Sequence, residues 1–146
     1  MDSIPEFKKD SQVENKEKLS LRVLLAEDNE VLRNIVKEIL EEKGYEVVGV
    51  ADGQQLLDKL LDEKENWDLV ISDNTMPEKT GLEAIREMRS NERTKNIPVI
   101  VMTGDVLNGL EKAFKELDVI YIEKPFQNED LLKAVDRAIN QTETLK

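Results

Sequence analysis

Five short apolar runs, each followed by an amphipathic stretch, constrain this chain more than any other feature. Three of them are nearly unbroken: Leu21-Arg22-Val23-Leu24-Leu25-Ala26, Trp67-Asp68-Leu69-Val70-Ile71-Ser72-Asp73 and Ile97-Pro98-Val99-Ile100-Val101-Met102. Runs of that kind suit strands covered by helices on both faces, which is the environment of a parallel sheet. Tyr45 to Ala51 and Val119 to Glu123 supply two further strands. The spacing predicts strands over 21–27, 45–51, 67–73, 97–103 and 119–123. Helices are predicted over 29–43, 53–65, 81–90, 107–117 and 128–142. In the first helix Leu32, Ile35, Val36, Ile39 and Leu40 share a face, and Gly44 ends it. In the second, Leu56, Leu57, Leu60 and Leu61 do the same. Five βα units in a row predict an α/β domain with a doubly wound parallel sheet.

The ends of the runs carry the chemistry. The first runs into Glu27-Asp28, the third closes on Asp73, the fourth on Thr103, and the fifth leads to Lys124-Pro125. Ligands of open α/β sheets sit at the carboxyl ends of the strands. Three acids, a hydroxyl and an ammonium are therefore expected to converge on one pocket. The acids would repel one another unless a cation lay between them. Oxygen ligands of this kind favour Mg²⁺, and a carboxylate placed as Asp73 is can attack phosphorus to form an acyl phosphate. Each of these residues taken singly reads as a solvated loop acid, a surface lysine or a strand-end threonine; the combination does not.

The 146 residues leave room for one domain, predicted over 19–142, with a polar leader at 1–18 and a tail at 143–146. With no Cys and no His, disulfides, thiolate metal sites and imidazole bases are excluded. There are 21 Lys and Arg against 32 Asp and Glu, a net charge of -11 that argues against direct binding to nucleic acid. No apolar stretch approaches the ~20 residues of a membrane span, and no signal peptide is visible. A cytoplasmic location is the expectation.

Ala26-Glu27-Asp28-Asn29, Asp73-Asn74-Thr75-Met76-Pro77 with Gly81 eight residues after Asp73, Val101-Met102-Thr103-Gly104 and Lys124-Pro125-Phe126 together resemble the receiver domain of two-component response regulators. The likeness spans about residues 20–142. It implies a flavodoxin-like fold with strand order 2-1-3-4-5 and five helices. It also implies that Asp73 is the phosphoacceptor, and that Glu27, Asp28, Asp73 and the Thr75 backbone carbonyl hold Mg²⁺ or Mn²⁺. On the same resemblance Thr103 is the switch hydroxyl, Lys124 contacts the phosphoryl group and Tyr121 is the switch aromatic; without it, Tyr121 reads as a core residue of the fifth strand. The implied partners are a sensor histidine kinase or phosphotransfer protein and a downstream protein. The implied state is a monomer or a phosphorylation-dependent dimer.

A free-standing regulator is preferred over a receiver segment of a hybrid kinase or multidomain regulator. Three departures stand out. Leu117-Asp118 occupies the place where receivers usually carry Gly-Ala, and the stretch from Thr103 to Lys124 is about one residue short, which predicts a short fourth helix. Lys79 and Thr80 replace the frequent apolar and acidic residues of the loop after Asp73. Thr75 and Asp105 are expected to flank the path of an attacking water, and the resemblance implies that these positions tune the acyl-phosphate lifetime. Two other readings compete. An aspartyl-phosphate phosphatase would want an acid at position 75, where Thr75 stands. A flavin carrier would want a Ser/Thr/Gly-rich loop after the first strand, where Glu27-Asp28-Asn29-Glu30 stands. Trp67, at the far end of its strand from Asp73, is expected to report poorly on a metal.

Overall fold

The computed structural model describes residues 20–76, 79–104 and 109–145. The expected leader at 1–18, Pro77, Glu78 and Asp105 lie outside the described residues. Strands β1 (Arg22–Ala26), β2 (Glu46–Val50), β3 (Leu69–Asp73), β4 (Val99–Thr103) and β5 (Ile120–Glu123) alternate with helices α1 (Glu30–Glu42), α2 (Gly53–Leu61), α3 (Gly81–Arg89), α4 (Leu110–Glu116) and α5 (Asn128–Leu145). All strand pairs are parallel and the order is β2-β1-β3-β4-β5, the flavodoxin-like arrangement expected from the motifs.

Alternate side chains of the central strands feed two cores, as a period of two requires. Leu24, Ala26, Val70, Val99 and Val101 meet Leu56, Leu60, Ala84, Ile85, Met88 and Phe114 of α2, α3 and α4. Val23, Leu25, Leu69, Ile71, Ile100 and Met102 meet Val36 and Leu40 of α1 and Leu131, Val135 and Ala138 of α5. Every residue of β3 and β4 is buried. Burying both faces of the central strands is what made their sequences continuous apolar runs.

Helix starts follow from short polar side chains. Asn29 Oδ1 accepts from Leu32 N at 2.9 Å and Asp52 Oδ1 accepts from Gln55 N at 2.8 Å. At α3, Thr80 and Glu83 form a reciprocal capping box, with Thr80 N donating to Glu83 Oε1 at 2.8 Å and Glu83 N to Thr80 Oγ1 at 3.2 Å.

Several expected boundaries move. Helix α2 stops at Leu61 instead of 65, because Asp62 turns extended and its side chain accepts from Lys64 N at 2.9 Å. Leu61 is consequently exposed, and so is Ile35 on α1; both were expected on buried faces, but one helix turned against a sheet buries a narrower stripe. Trp67 precedes β3 instead of opening it. The chain enters the sheet through a two-way contact in which Asp68 N donates to Arg22 O and Arg22 N donates to Asp68 Oδ2. The Arg22 guanidinium then lies 4.2 Å over the Trp67 ring. Helix α5 continues to Leu145, past the expected 142.

Helices α1 and α4 end alike with different residues. After α1, Gly44 takes φ 96°, Gly44 N bonds Glu41 O and Tyr45 N bonds Leu40 O. After α4, Asp118 takes φ 56°, with Asp118 N on Lys115 O and Val119 N on Phe114 O. Both are paired-carbonyl closures that need a left-handed residue, a position glycine fills without cost from a Cβ. Asp118 holds it because Arg89 pins the turn: its Nε donates to Leu117 O at 2.9 Å and its Nη2 to Asp118 O at 3.2 Å. Asp118→Gly is therefore expected to stabilise the protein by about 0.5 kcal/mol, the left-handed strain relieved less the added chain entropy. Chemical denaturation at unchanged slope checks this, and a loss of stability would mean that the aspartate is not strained.

Candidate functional site

The parallel register sets the strand ends side by side. Ala26 pairs with Ser72, Asp73 with Met102 and Thr103 with Glu123, so the residues following β1 and β5 and the last residue of β4 lie beside the last residue of β3. Glu27 extends β1 by one bond, its N donating to Val50 O at 3.0 Å. Glu27 and Asp73 are buried, whereas Asp28 is exposed at the mouth. Carboxylate oxygens of Glu27, Asp28 and Asp73 all lie within 4.8 Å of one another. Lys124 Nζ reaches Asp73 Oδ1 at 3.0 Å and Glu27 Oε1 at 3.1 Å. Its backbone N donates to Thr103 O at 2.9 Å, and the Lys124-Pro125 bond is cis.

Thr103 is buried at the end of β4. Thr75 is exposed in the loop after β3. Asn74 N donates to Met102 O at 3.1 Å and Gly81 N to Asn74 O at 3.0 Å, which ties the loop's first residue both to the sheet and to the start of α3. Tyr121 stands apart from the acids. It is 39% exposed, and its ring centroid lies 5.2 Å from that of Phe114, so it is a surface residue leaning on α4, not a core tyrosine.

The electrostatics show what the acids lack. Burial, and then repulsion from Asp73, raises the Glu27 pKa above the ordinary carboxylate value, against the pull of its bond from Asn29 N and of Lys124. Burial also raises that of Asp73, with Asp28 adding to it and Lys124 opposing. For Lys124, burial works against the charge, but the hydrogen bonds and attraction of Asp73 and Glu27 outweigh it and raise the pKa. One ammonium thus faces three carboxylates and does not fully compensate them. Glu27 Oε1 is buried and, apart from the Lys124 ammonium at 3.1 Å, has no polar partner among the described residues. A small, hard, divalent cation answers both deficits, since it adds two positive charges and binds oxygen. The donor set fits such an ion.

The motifs pointed to every residue of this cluster. They did not point to Arg33, whose Nη1 donates to Glu27 O at 2.7 Å, or to Gly53, which lies against the Lys79 backbone carbonyl of the loop after β3. A signal for the first exists in the sequence: a long side chain one turn into a helix can reach back over the residues that lead into it.

Comparison with known proteins agrees with this geometry. Residues 23–136 match the response regulator receiver domain family. The transcriptional regulatory protein PdtaR of Mycobacterium tuberculosis is 38% identical over 122 residues, which cover 82% of this chain and 57% of PdtaR. The sensor kinase/phosphatase CqsS of Vibrio cholerae is 45% identical over 85 residues, 58% of this chain and 12% of CqsS. This chain thus spans little more than half of the one relative and a small part of the other. Among solved structures, the receiver domain of sensor histidine kinase PA1611 from Pseudomonas aeruginosa has a TM-score of 0.75 at 30% identity, covering 83% of this chain and 98% of its own. That crystal holds a magnesium ion coordinated in the active-site cleft. Chemotaxis protein CheY4 of Vibrio cholerae has a TM-score of 0.74 at 32% identity, covering 81% and 98%. With its motifs, strand order and acid pocket all in place, the chain belongs to the response regulator receiver domain family.

Proposed function

We propose that this domain accepts a phosphoryl group on Asp73 from the phosphohistidine of a sensor histidine kinase or phosphotransfer protein. One observation carries the reading: Lys124 Nζ bridges Asp73 and Glu27 beside Asp28, so one reactive carboxylate is held among charges suited to a phosphoryl group. Glu27, Asp28, Asp73 and the Thr75 carbonyl would hold Mg²⁺, or Mn²⁺ in its place, which when bound neutralises charge on the transferring group.

An Asp73 oxygen attacks phosphorus and the imidazole of the donor leaves. The product carries about -1.5 to -2 charge if it resembles other protein phosphates. Lys124 then exchanges the Asp73 carboxylate for a phosphoryl oxygen, and the Thr103 hydroxyl donates to another. Movement of Thr103 pulls on β4, and Tyr121, held against Phe114 of α4, follows it. The α4-β5-α5 surface is thereby biased between two states and read by a protein partner, without direct contact to nucleic acid. The reading applies alike to a free-standing cytoplasmic regulator, monomeric or dimerising on phosphorylation, and to the receiver segment of a hybrid kinase or multidomain regulator.

The test is incubation with acetyl phosphate and Mg²⁺, followed by intact mass. Wild type gains the mass of one phosphoryl group, and chelation of the metal prevents it. No gain with either Mg²⁺ or Mn²⁺ would overturn the reading. Metal affinity is best followed by calorimetry, because Trp67 sits under Arg22 before β3, at the end of that strand away from Asp73. Its fluorescence is expected to stay unchanged when Mg²⁺ is added.

A further inference from the structure

Arg33 spends its charge in an unusual place. In a chain with an excess of acids, its Nη1 donates at 2.7 Å to a backbone carbonyl, that of Glu27. Among the described residues it forms no ion pair with a carboxylate. A carbonyl at the end of a strand has left the ladder, and a charged donor there is stronger than a neutral one. The same residue that supplies this carbonyl supplies the buried carboxylate of the site, and Asp28 follows directly. Whatever fixes that peptide unit fixes where both carboxylates point.

The path of the side chain is also built. Arg33 lies in the second turn of α1 and runs back across β2 to reach the turn. A Cβ added at Gly49 would stand 3.2 Å from Arg33 Cδ and 3.3 Å from Cγ. Gly49 is the residue paired with Leu25 in the β1–β2 ladder. A glycine inside a strand weakens it and often marks a close approach. Here the approaching group is the Arg33 stem. The β1–α1 turn is further tied by Asn29, whose N donates to Glu27 Oε2 at 3.1 Å while its side chain caps the helix. Arg33 and Asn29 thus hold Glu27 from opposite ends, one by its carbonyl and one by its carboxylate.

We propose that Arg33 is a positioning residue for the acid cluster: seated in the space left by Gly49, it clamps the Glu27 carbonyl and orients Glu27 and Asp28 toward Asp73 for a divalent cation. The proposal rests on the metal reading above. Groups that orient ligands from behind typically change metal affinity 10–100-fold when removed.

The test is Mg²⁺ calorimetry on wild type, Arg33→Met, Arg33→Lys and Gly49→Val, with thermal melting of each in the absence of metal. Arg33→Met keeps the apolar stem and is expected to weaken Mg²⁺ binding about tenfold with little change in metal-free melting temperature. Arg33→Lys, which keeps a charged donor, should recover part of the loss. Gly49→Val crowds the stem and should weaken binding while Arg33 remains; in the Arg33→Met background it should add nothing. Phosphoryl uptake by Arg33→Met should return to the wild-type level at saturating Mg²⁺. Unaltered binding in both Arg33→Met and Gly49→Val overturns the inference alone. A wild type that binds no divalent ion overturns the metal reading, and this inference with it.

Discussion

Asp73→Asn is expected to take up no phosphoryl group from acetyl phosphate, and its metal-free form is expected to melt above wild type at neutral pH. The first result follows from chemistry: an amide is a poor nucleophile, and the remaining acids are differently placed. Glu27 is turned toward Lys124 and Asn29 N, and Asp28 lies exposed at the mouth of the pocket. The second follows from linkage. Burial raises the Asp73 pKa in the fold, so the folded state holds its proton to higher pH than the unfolded chain. Stability therefore falls as pH rises from the ordinary carboxylate value through the raised one.

Asparagine removes that penalty and relieves Glu27 of one repelling neighbour. The melting advantage should shrink as pH falls through the carboxylate range, where wild-type Asp73 becomes neutral. Mg²⁺ should stabilise wild type in proportion to the logarithm of its concentration over the dissociation constant, and the variant much less. Melting curves across pH, with and without Mg²⁺, check the second claim, and intact mass checks the first. A phosphorylated Asp73→Asn would place the acceptor elsewhere.

Gly53→Ala should destabilise the fold strongly, with a loss of about 3 kcal/mol or more. The added Cβ would run into the carbonyl oxygen and carbon of Lys79. Main chain cannot swing aside as a side-chain tip can. Gly53 opens α2 just after the Asp52 cap, and Lys79 lies near the end of the loop that follows Asp73, just before the Thr80 cap of α3. The Lys79 side chain is held as well, its Nζ on Glu87 Oε2 at 2.7 Å. Relief of the clash has to come from moving α2 or from moving the loop, and the second route disturbs the acid pocket. For a domain of this size the stability loss is equivalent to roughly 10 °C in melting temperature. Denaturant unfolding measures the loss, and Mg²⁺ affinity in the surviving folded fraction reveals which side gave way. A loss below about 1 kcal/mol would show that the two segments separate freely.

The fold was legible because burial on both faces leaves an unmistakable trace. Runs such as Leu69-Val70-Ile71 and Val99-Ile100-Val101 admit little else once helices with Gly or Asn/Asp/Thr boundaries lie between them. The cluster of Glu27, Asp28, Asp73 and Lys124 was legible for a related reason: in a parallel sheet, position in the chain dictates position in space. What escaped depends on shape. Nothing in the letters Gly49 and Gly53 says that one makes room for an arginine stem and the other for a backbone carbonyl. The true end of α2 was hidden because Leu61 continues its apolar pattern, while Asp62 prefers to fold its side chain onto its own backbone. Asp118 in a left-handed turn broke the rule that identified Gly44. It does so with help from Arg89, which comes from another helix and 29 residues earlier in the chain.

Helix α4 has seven residues, one fully buried anchor in Phe114 and a start at Gly109 with no side-chain cap. Such a segment opens at little free-energy cost, independently of the sheet that supports it. Its amides should trade protons with solvent ahead of those in α1, whose two ends are both closed. A loosely anchored element beside a firmly built pocket would let the proposed covalent event at Asp73 be felt outside, because so little would have to be undone for the surface to change hands.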